Sequence, residues 1–249
     1  MGYGSASAIR RIVEDPWVRS KSAGLRLPQD FEFGLPILRP SKIVAIGRNY
    51  LAHVRELQHE IPTEPVFFCK APSSLVPHGS NIVIPAWLDS RVDHEAELAL
   101  VIGKPCRNVP EAEALEYIAG YSIVNDVTAR AMQKEDIAAG NPWFRSKSID
   151  TFCPMGPYFV PSDDVPDPNR LNIRLTVNGE TKQQAGTASM IFPVERLVSA
   201  VSRYMTLQPG DVIATGTPEG VSPIGPGDVI EIEIDGLGTL KNQVVKEGV

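Results

Sequence analysis

The chain has 249 residues, 43% hydrophobic and 22% charged, a balance that excludes a disordered chain and suits one large domain or one domain with a small appendage. A formal net charge of -6 gives no basic footprint for nucleic acid or an anionic membrane surface. The longest apolar run, Leu98 to Ile102, is too short to span a bilayer, and Cys69, Cys106 and Cys153 form no C-x-x-C pair and read as reduced thiols.

Met1 to Arg11 lack the basic-then-apolar order of a secretory signal, so the expected address is cytosolic. Residues 1–40 combine a basic cluster with Pro-punctuated apolar pairs and read as a small N-terminal segment ahead of a main domain over 41–249. From there 22 Pro and 20 Gly cut the chain into short pieces rich in Val and Ile, which predicts strands joined by tight turns. In order, strands are expected over Lys42–Ile46, Val66–Lys70 and Glu95–Ile102, then a helix over Glu111–Ala119 opened by Pro110. A strand over Tyr121–Asn125 precedes a helix over Thr128–Ala139. Next come a strand over Leu171–Val177, the hairpin signal Asn178-Gly179, and a polar strand near Glu180–Gln184. A helix over Val194–Tyr204 follows Pro193, and strands over Asp211–Ala214 and Asp228–Ile234 close the reading.

Three groups of residues could carry chemistry. In Asp93-His94-Glu95-Ala96-Glu97, residues two apart on a strand share a face, so Glu95 and Glu97 point the same way. Taken alone, a solvated strand end is the commoner source of such carboxylates. The apolar run that follows argues instead for a strand covered on both faces, and buried paired carboxylates require protons or a cation. Asp126 sits between a strand and a helix start, where an Asp is most often a cap. A third carboxylate converging on the pair would complete an all-oxygen site for Mg²⁺, Mn²⁺ or Ca²⁺ rather than zinc.

In Gly47-Arg48-Asn49-Tyr50-Leu51-Ala52-His53-Val54-Arg55-Glu56, one helical turn puts His53 and Glu56 on one side, as a general base and its orienting carboxylate or as a surface ion pair. Lys70 and Lys147 are weaker candidates for neutralising a substrate carboxylate or an enolate. Gly216-Thr217-Pro218-Glu219-Gly220 could cradle an anion through its amides or be a plain turn. No G-x-S-x-G or usable G-x-G-x-x-G is present, so serine-hydrolase and dinucleotide readings lack support.

Set in order, GRNYLAHVRE, FFCKAPSSLV, HEAEL, NDVTAR, WFRSKSIDTFCPMGP, VNGE, MIFP and GDVIATGTPEGV resemble the fumarylacetoacetate hydrolase family, nearest its small acylpyruvase and oxaloacetate decarboxylase branch. The resemblance runs from about Ser41 to the C-terminus. It implies an α+β, β-rich fold, a mixed β-sandwich roll with a few short helices, assembled as a homodimer. It also implies metal ligands Glu95, Glu97 and Asp126, Lys147 beside the metal, and a lid dyad of His53 and Glu56 that activates water. Lys70, Arg130, Gln133 and Thr217 match positions lining the pocket for the substrate's carboxylate end. The implied activity is Mg²⁺-dependent hydrolysis or decarboxylation of small 2-oxo or 2,4-dioxo acids, such as an acylpyruvate or oxaloacetate, through an enolate. The alternatives are an isomerase or tautomerase of 2-hydroxyhepta-2,4-diene-1,7-dioate or oxaloacetate, and a non-catalytic protein that binds metal and carboxylates.

Overall fold

The computed structural model describes residues 14–20, 31–58 and 60–248. It divides into two units, residues 1–33 and 34–249. Of the expected N-terminal segment, residues 1–13 and 21–30 lie outside the described residues. What is described of the smaller unit includes a short helix, α1 (Pro16–Ser20). Residues 34–40 go with the larger unit, because Leu35 and Ile37 pack against the cluster that contains Ile43, Ala45 and Val101.

The larger unit is strand-rich. In chain order its strands are β1 (Ile43–Gly47), β2 (Val66–Lys70), β3 (Leu75–Pro77), β4 (Ile82–Ile84), β5 (Val92–Asp93), β6 (Ala96–Ile102), β7 (Ile118–Asn125), β8 (Thr128–Ala129), β9 (Cys153–Pro161), β10 (Asn172–Val177), β11 (Glu180–Gly186), β12 (Val212–Ala214), β13 (Pro223–Ile224), β14 (Val229–Ile234) and β15 (Gly238–Lys246). Its helices are α2 (Leu51–Glu56), α3 (Arg130–Ala138), α4 (Phe144–Lys147) and α5 (Val194–Tyr204). A seven-stranded sheet runs β2-β1-β12-β6-β7-β9-β3, a five-stranded sheet runs β11-β10-β14-β15-β4, and a small third sheet joins β13, β5 and β8.

The strand β6 explains the layering. All seven of its residues are buried, since it is paired on both edges and covered on both faces, and it reads as a nearly continuous apolar run. Leu98 and Leu100 point into the larger core cluster, with Ile46 of β1 and Ile123 of β7, while Ala99 and Val101 point into the smaller one. The larger cluster also takes Ile173 and Leu175 of β10, Ile230 and Ile232 of β14, and Leu197, Val198 and Val201 of α5. Its centre therefore lies between the two large sheets, as in a sandwich.

Several elements differ from the sequence reading. The helix expected over Glu111–Ala119 is a 3-10 stretch, Glu111–Tyr117, after which Ile118 joins β7 opposite Ile102. Thr128 and Ala129 are not helical, because they pair with Asp93 and Val92 before α3 begins at Arg130. The strand β9 was not expected, since Pro154, Pro157 and Pro161 interrupt it. Nor was β15, whose buried face of Leu240, Asn242 and Val244 is broken by an asparagine that donates to the Pro77 and Ser80 carbonyls.

Candidate active site

The register of β6 on β7 brings the carboxylates together. Ala96 pairs with Asn125, so Glu95 and Asp126, one step beyond, face each other, and the Asp126 amide donates to the Glu95 carbonyl at 2.8 Å. Glu97 lies two residues along the same face of β6. One oxygen from each of Glu95, Glu97 and Asp126 falls within 4.8 Å of the others, and all three residues are buried. Asp126 is not a helix cap, because both of its carboxylate oxygens are taken by lysines. Asp93, just beyond the pair, turns away and accepts from Arg91 and Arg130.

Two lysines reach the cluster. Lys147, at the end of α4, donates to Glu95 Oε2 at 2.7 Å and to Asp126 Oδ2 at 2.6 Å. Lys70, the last residue of β2, donates to Asp126 Oδ1 at 2.6 Å and to the Lys147 carbonyl. Lys70, expected at the pocket, has a fully buried side chain held by Asp126 and is not among the residues that line the pocket. Arg130 opens α3 and spreads its guanidinium over Asp93, Glu95 and the Gln133 side-chain carbonyl. Arg145, beside the lysine in sequence, turns to Asp136.

These contacts separate the charges. Burial and the neighbouring Asp126 and Glu95 push the Glu97 carboxyl well above its usual range. Burial acts on Glu95 in the same direction, but Lys147 and Arg130 outweigh it and hold that carboxyl well below the usual range. Burial alone would draw Lys147 down, yet Asp126 and Glu95 outweigh it and keep the ammonium charged. Hard oxygen donors gathered in one buried spot, one of them in no ion pair among the described residues, suit a divalent ion such as Mg²⁺, Mn²⁺ or Ca²⁺.

The cluster floors a pocket that is open to solvent. His53, Arg130, Gln133, Lys147 and Thr217 stand on its walls, and so do Arg48 and Trp143, to which the sequence reading gave no role. On α2, His53 Nδ1 lies 3.3 Å from Glu56 Oε2, and Glu56 itself accepts from the Gly220 amide at 3.3 Å. Asn49 fixes the root of α2: its side chain donates to the Thr215 and Phe192 carbonyls and accepts from the Phe192 amide.

The loop Gly216 to Gly220 holds carboxylates of the chain itself. The Gly216 amide donates to Glu97 Oε2 at 2.8 Å, and the Gly220 amide serves Glu56. Gly216 has a φ of +94°, and a Cβ there would lie 2.9 Å from the Asn49 Cβ. Only glycine lets the loop approach so closely.

Sequence reasoning missed Gln183. This buried residue of β11 accepts at Oε1 from the Ala96 amide and faces His94 Nδ1 at 3.0 Å, while its Nε2 donates to the Pro218 carbonyl and to Thr217 Oγ1. The backbone partners fix which end of the amide is oxygen, so His94 carries its proton on Nδ1 and Thr217 must accept, leaving its hydroxyl proton free to point elsewhere. Burial lowers the His94 pKa, against the pull of Gln183, Asp93 and Glu95. A neutral ring then accepts at Nε2 from Ser222 Oγ, 2.8 Å away. A buried glutamine within an otherwise polar strand leaves no periodic signal, so nothing in the pattern marked it.

Fold and site together define a strand-rich catalytic domain with buried carboxylates at the floor of one pocket. Residues 42–245 match the family described as Fumarylacetoacetate (FAA) hydrolase C-terminal. The chain belongs to that family. It is 46% identical over 202 residues to the mitochondrial oxaloacetate tautomerase FAHD1 of Bos taurus, covering 81% of this chain and 90% of that one. It also resembles a 5-carboxymethyl-2-hydroxymuconate delta-isomerase from Mycobacterium smegmatis, with a TM-score of 0.79 and 46% identity over 88% of this chain and 83% of that one. The fumarylpyruvate hydrolase of Pseudomonas aeruginosa, solved with Mn²⁺ and pyruvate, gives a TM-score of 0.80 at 35% identity, covering 88% of this chain and 93% of that one.

Proposed function

We propose that this protein is a divalent-metal-dependent enzyme that hydrolyses or decarboxylates small 2-oxo and 2,4-dioxo acids, such as an acylpyruvate or oxaloacetate. The observation that carries this reading is the meeting of Glu95, Glu97, Asp126 and Lys147 beneath a pocket whose wall bears His53, with Glu56 3.3 Å from its Nδ1. Glu95, Glu97 and Asp126 would hold Mg²⁺ or Mn²⁺, and the ion, when bound, supplies Lewis-acid polarisation of the 2-oxo group.

The chain's own residues account for the rest. Glu56 orients the His53 ring, which takes a proton from water as the oxygen attacks the carbonyl at C4 of a 2,4-dioxo acid. The C3–C4 bond then breaks, its electron pair enters a pyruvate enolate, and the acyl part leaves as a carboxylic acid. Lys147 has three N–H groups and spends two on Glu95 and Asp126, so one remains to donate to the developing enolate oxygen. The proton held on His53 returns to C3. With oxaloacetate the broken bond releases CO₂, leaves the same enolate and requires no water.

A second reading is supported by the tautomerase and isomerase relatives, each at 46% identity. Tautomerisation or double-bond migration would use His53 to move a proton between carbon and oxygen without breaking a carbon–carbon bond. The homodimer and the cytosolic address belong to the proposal too, although the bovine relative is mitochondrial by name. Among the described residues no helix is long and apolar enough to cross a membrane.

The test is turnover of acetylpyruvate, oxaloacetate and 2-hydroxyhepta-2,4-diene-1,7-dioate with Mg²⁺, with Mn²⁺ and with chelator, products being separated by chromatography. The expected result is that one acid is consumed only with metal, and its product then distinguishes cleavage from isomerisation. Metal binding without turnover of any of the three would overturn the assignment.

A further inference from the structure

We propose that Arg48 is the residue that reads a second carboxylate, so that the substrates this pocket prefers are acids with a carboxylate at each end. This rests on the reading of the acidic cluster as the holder of the 2-oxo acid's first carboxylate. Three basic side chains of Lys and Arg line the pocket, Arg48, Arg130 and Lys147. Arg130 is engaged by Asp93, Glu95 and Gln133, and Lys147 by Glu95 and Asp126, its third N–H being the one assigned to the enolate oxygen at the 2-oxo end. Arg48 makes no hydrogen bond or ion pair among the described residues, although its guanidinium offers five N–H donors in a fork that matches a carboxylate.

The residue is also held in place. Its guanidinium carbon lies 5.6 Å from the centre of the Trp143 ring, which packs in turn against Phe68 with ring centres 5.4 Å apart. Trp143 covers the backbone of Gly47 so closely that a Cβ there would lie 2.7 Å from the ring. Arg48 itself has a φ of +59°, a left-handed conformation that arginine rarely adopts and that costs energy unless its surroundings impose it. The chain thus turns sharply at the end of β1 and sets a guanidinium with no hydrogen-bonding partner among the described residues, stacked on a pinned indole, at the wall of the pocket. A cation on an aromatic face keeps its edge N–H groups available, which suits a carboxylate arriving from the cavity. Phe68, Leu57 and Ile137 line the same pocket and suit the carbon chain between the two ends.

Binding separates this inference from the one beneath it. The probes are 2-oxoglutarate and 2-oxovalerate, which share a five-carbon 2-oxo acid skeleton and differ by the distal carboxylate, titrated into the Mn²⁺-loaded protein by calorimetry. The wild type is expected to bind the dianion at least about 10-fold more tightly. Arg48→Gly removes the guanidinium at a φ that glycine adopts freely, so the fold is kept. It should bind both acids with equal affinity and hold 2-oxovalerate within about 2-fold of wild type, while Arg48→Lys restores part of the preference. Equal binding of the two acids by wild type, or a preference that survives in Arg48→Gly, overturns the role of Arg48. Metal-independent binding of 2-oxovalerate instead overturns the reading of the acidic cluster, and this inference falls with it.

Discussion

Glu97 accepts a single hydrogen bond among the described residues, from the Gly216 amide 2.8 Å away, whereas Glu95 and Asp126 share the Lys147 ammonium. The cluster is therefore short of positive charge on one side, and Glu97 marks that side. Without metal, its raised pKa means that the native state holds a proton which the unfolded chain releases near 4.5. The stability tied to this proton is present below 4.5 and is lost as pH rises through the folded value. Glu97→Gln should flatten that loss, read as the melting temperature of the metal-free protein against pH. It should also weaken Mn²⁺ binding by at least about 100-fold, more than a change in an outer residue does. Unaltered Mn²⁺ affinity in a calorimetric titration would sink the assignment of Glu97 as a ligand.

His53 makes a different prediction, because it stands on the wall of the pocket and not in the cluster. His53→Ala should lower hydrolysis of an acylpyruvate by about 10²- to 10⁴-fold, the usual range for losing a general base. Mn²⁺ affinity should stay within about 2-fold, and decarboxylation of oxaloacetate, which uses no water, should fall less. Equal loss of both reactions in steady-state assays would point to a proton shuttle and favour the isomerase reading.

The parts of this site legible in the sequence were those carried by local spacing. Glu95 and Glu97 share a face because the side-chain period of a strand is two, and His53 meets Glu56 because a helical turn joins them. The convergence of Asp126 depended on the β6 and β7 register, which spacing alone does not give, and it came from the order of the motifs. For Lys70, sequence shows that a lysine ends a strand but not which side of Asp126 it approaches. Gln183, Arg48 and Trp143 were passed over for a common reason: each acts through a partner more than 30 residues away, or through a backbone conformation that leaves no composition signal. In the fold, the apolar strands and α5 were plain, whereas β9 and β15 were hidden by prolines and by a buried asparagine.

Gln183 ties the pocket wall to the strand beneath it, and two substitutions separate its roles. Gln183→Leu leaves the Ala96 amide and the Pro218 carbonyl buried without partners, and should cost at least about 2 kcal/mol in chemical denaturation. Gln183→Glu keeps an acceptor for Ala96 and His94 but turns a second oxygen towards Thr217, whose hydroxyl must then donate to the protein instead of to a ligand. That variant should raise KM several-fold with kcat and metal affinity little changed. A fall in kcat at constant KM would show that Thr217 is not a ligand-facing donor.

His94 gives a pH dependence of the opposite sign to Glu97. Its folded pKa lies below the ordinary 6.5, so on acidification the unfolded chain takes up a proton before the native ring does. The stability it contributes is present above 6.5 and is lost as pH falls through the folded value. His94→Asn should flatten the fall in melting temperature as the pH drops below 6.5. An unchanged slope would mean that the buried ring is not the group responsible.

Gly220 joins the stability of the loop to the orientation of His53. A Cβ at this position would stand 2.0 Å from the Lys182 carbonyl oxygen, and its φ of +89° disfavours any side chain, so Gly220→Ala must move the loop off β11. The expected loss is at least about 2 kcal/mol, measured by denaturant titration. Gly225→Ala is the matching control, because nothing lies within 4 Å of a Cβ there, and it should change stability by less than about 1 kcal/mol. Since the Gly220 amide also serves Glu56, the displaced loop should loosen the carboxylate that orients His53, and hydrolysis should fall further than decarboxylation. If Gly220→Ala lost stability but kept the ratio of the two reactions, the loop would be a structural support only, and Glu56 would hold His53 without its help.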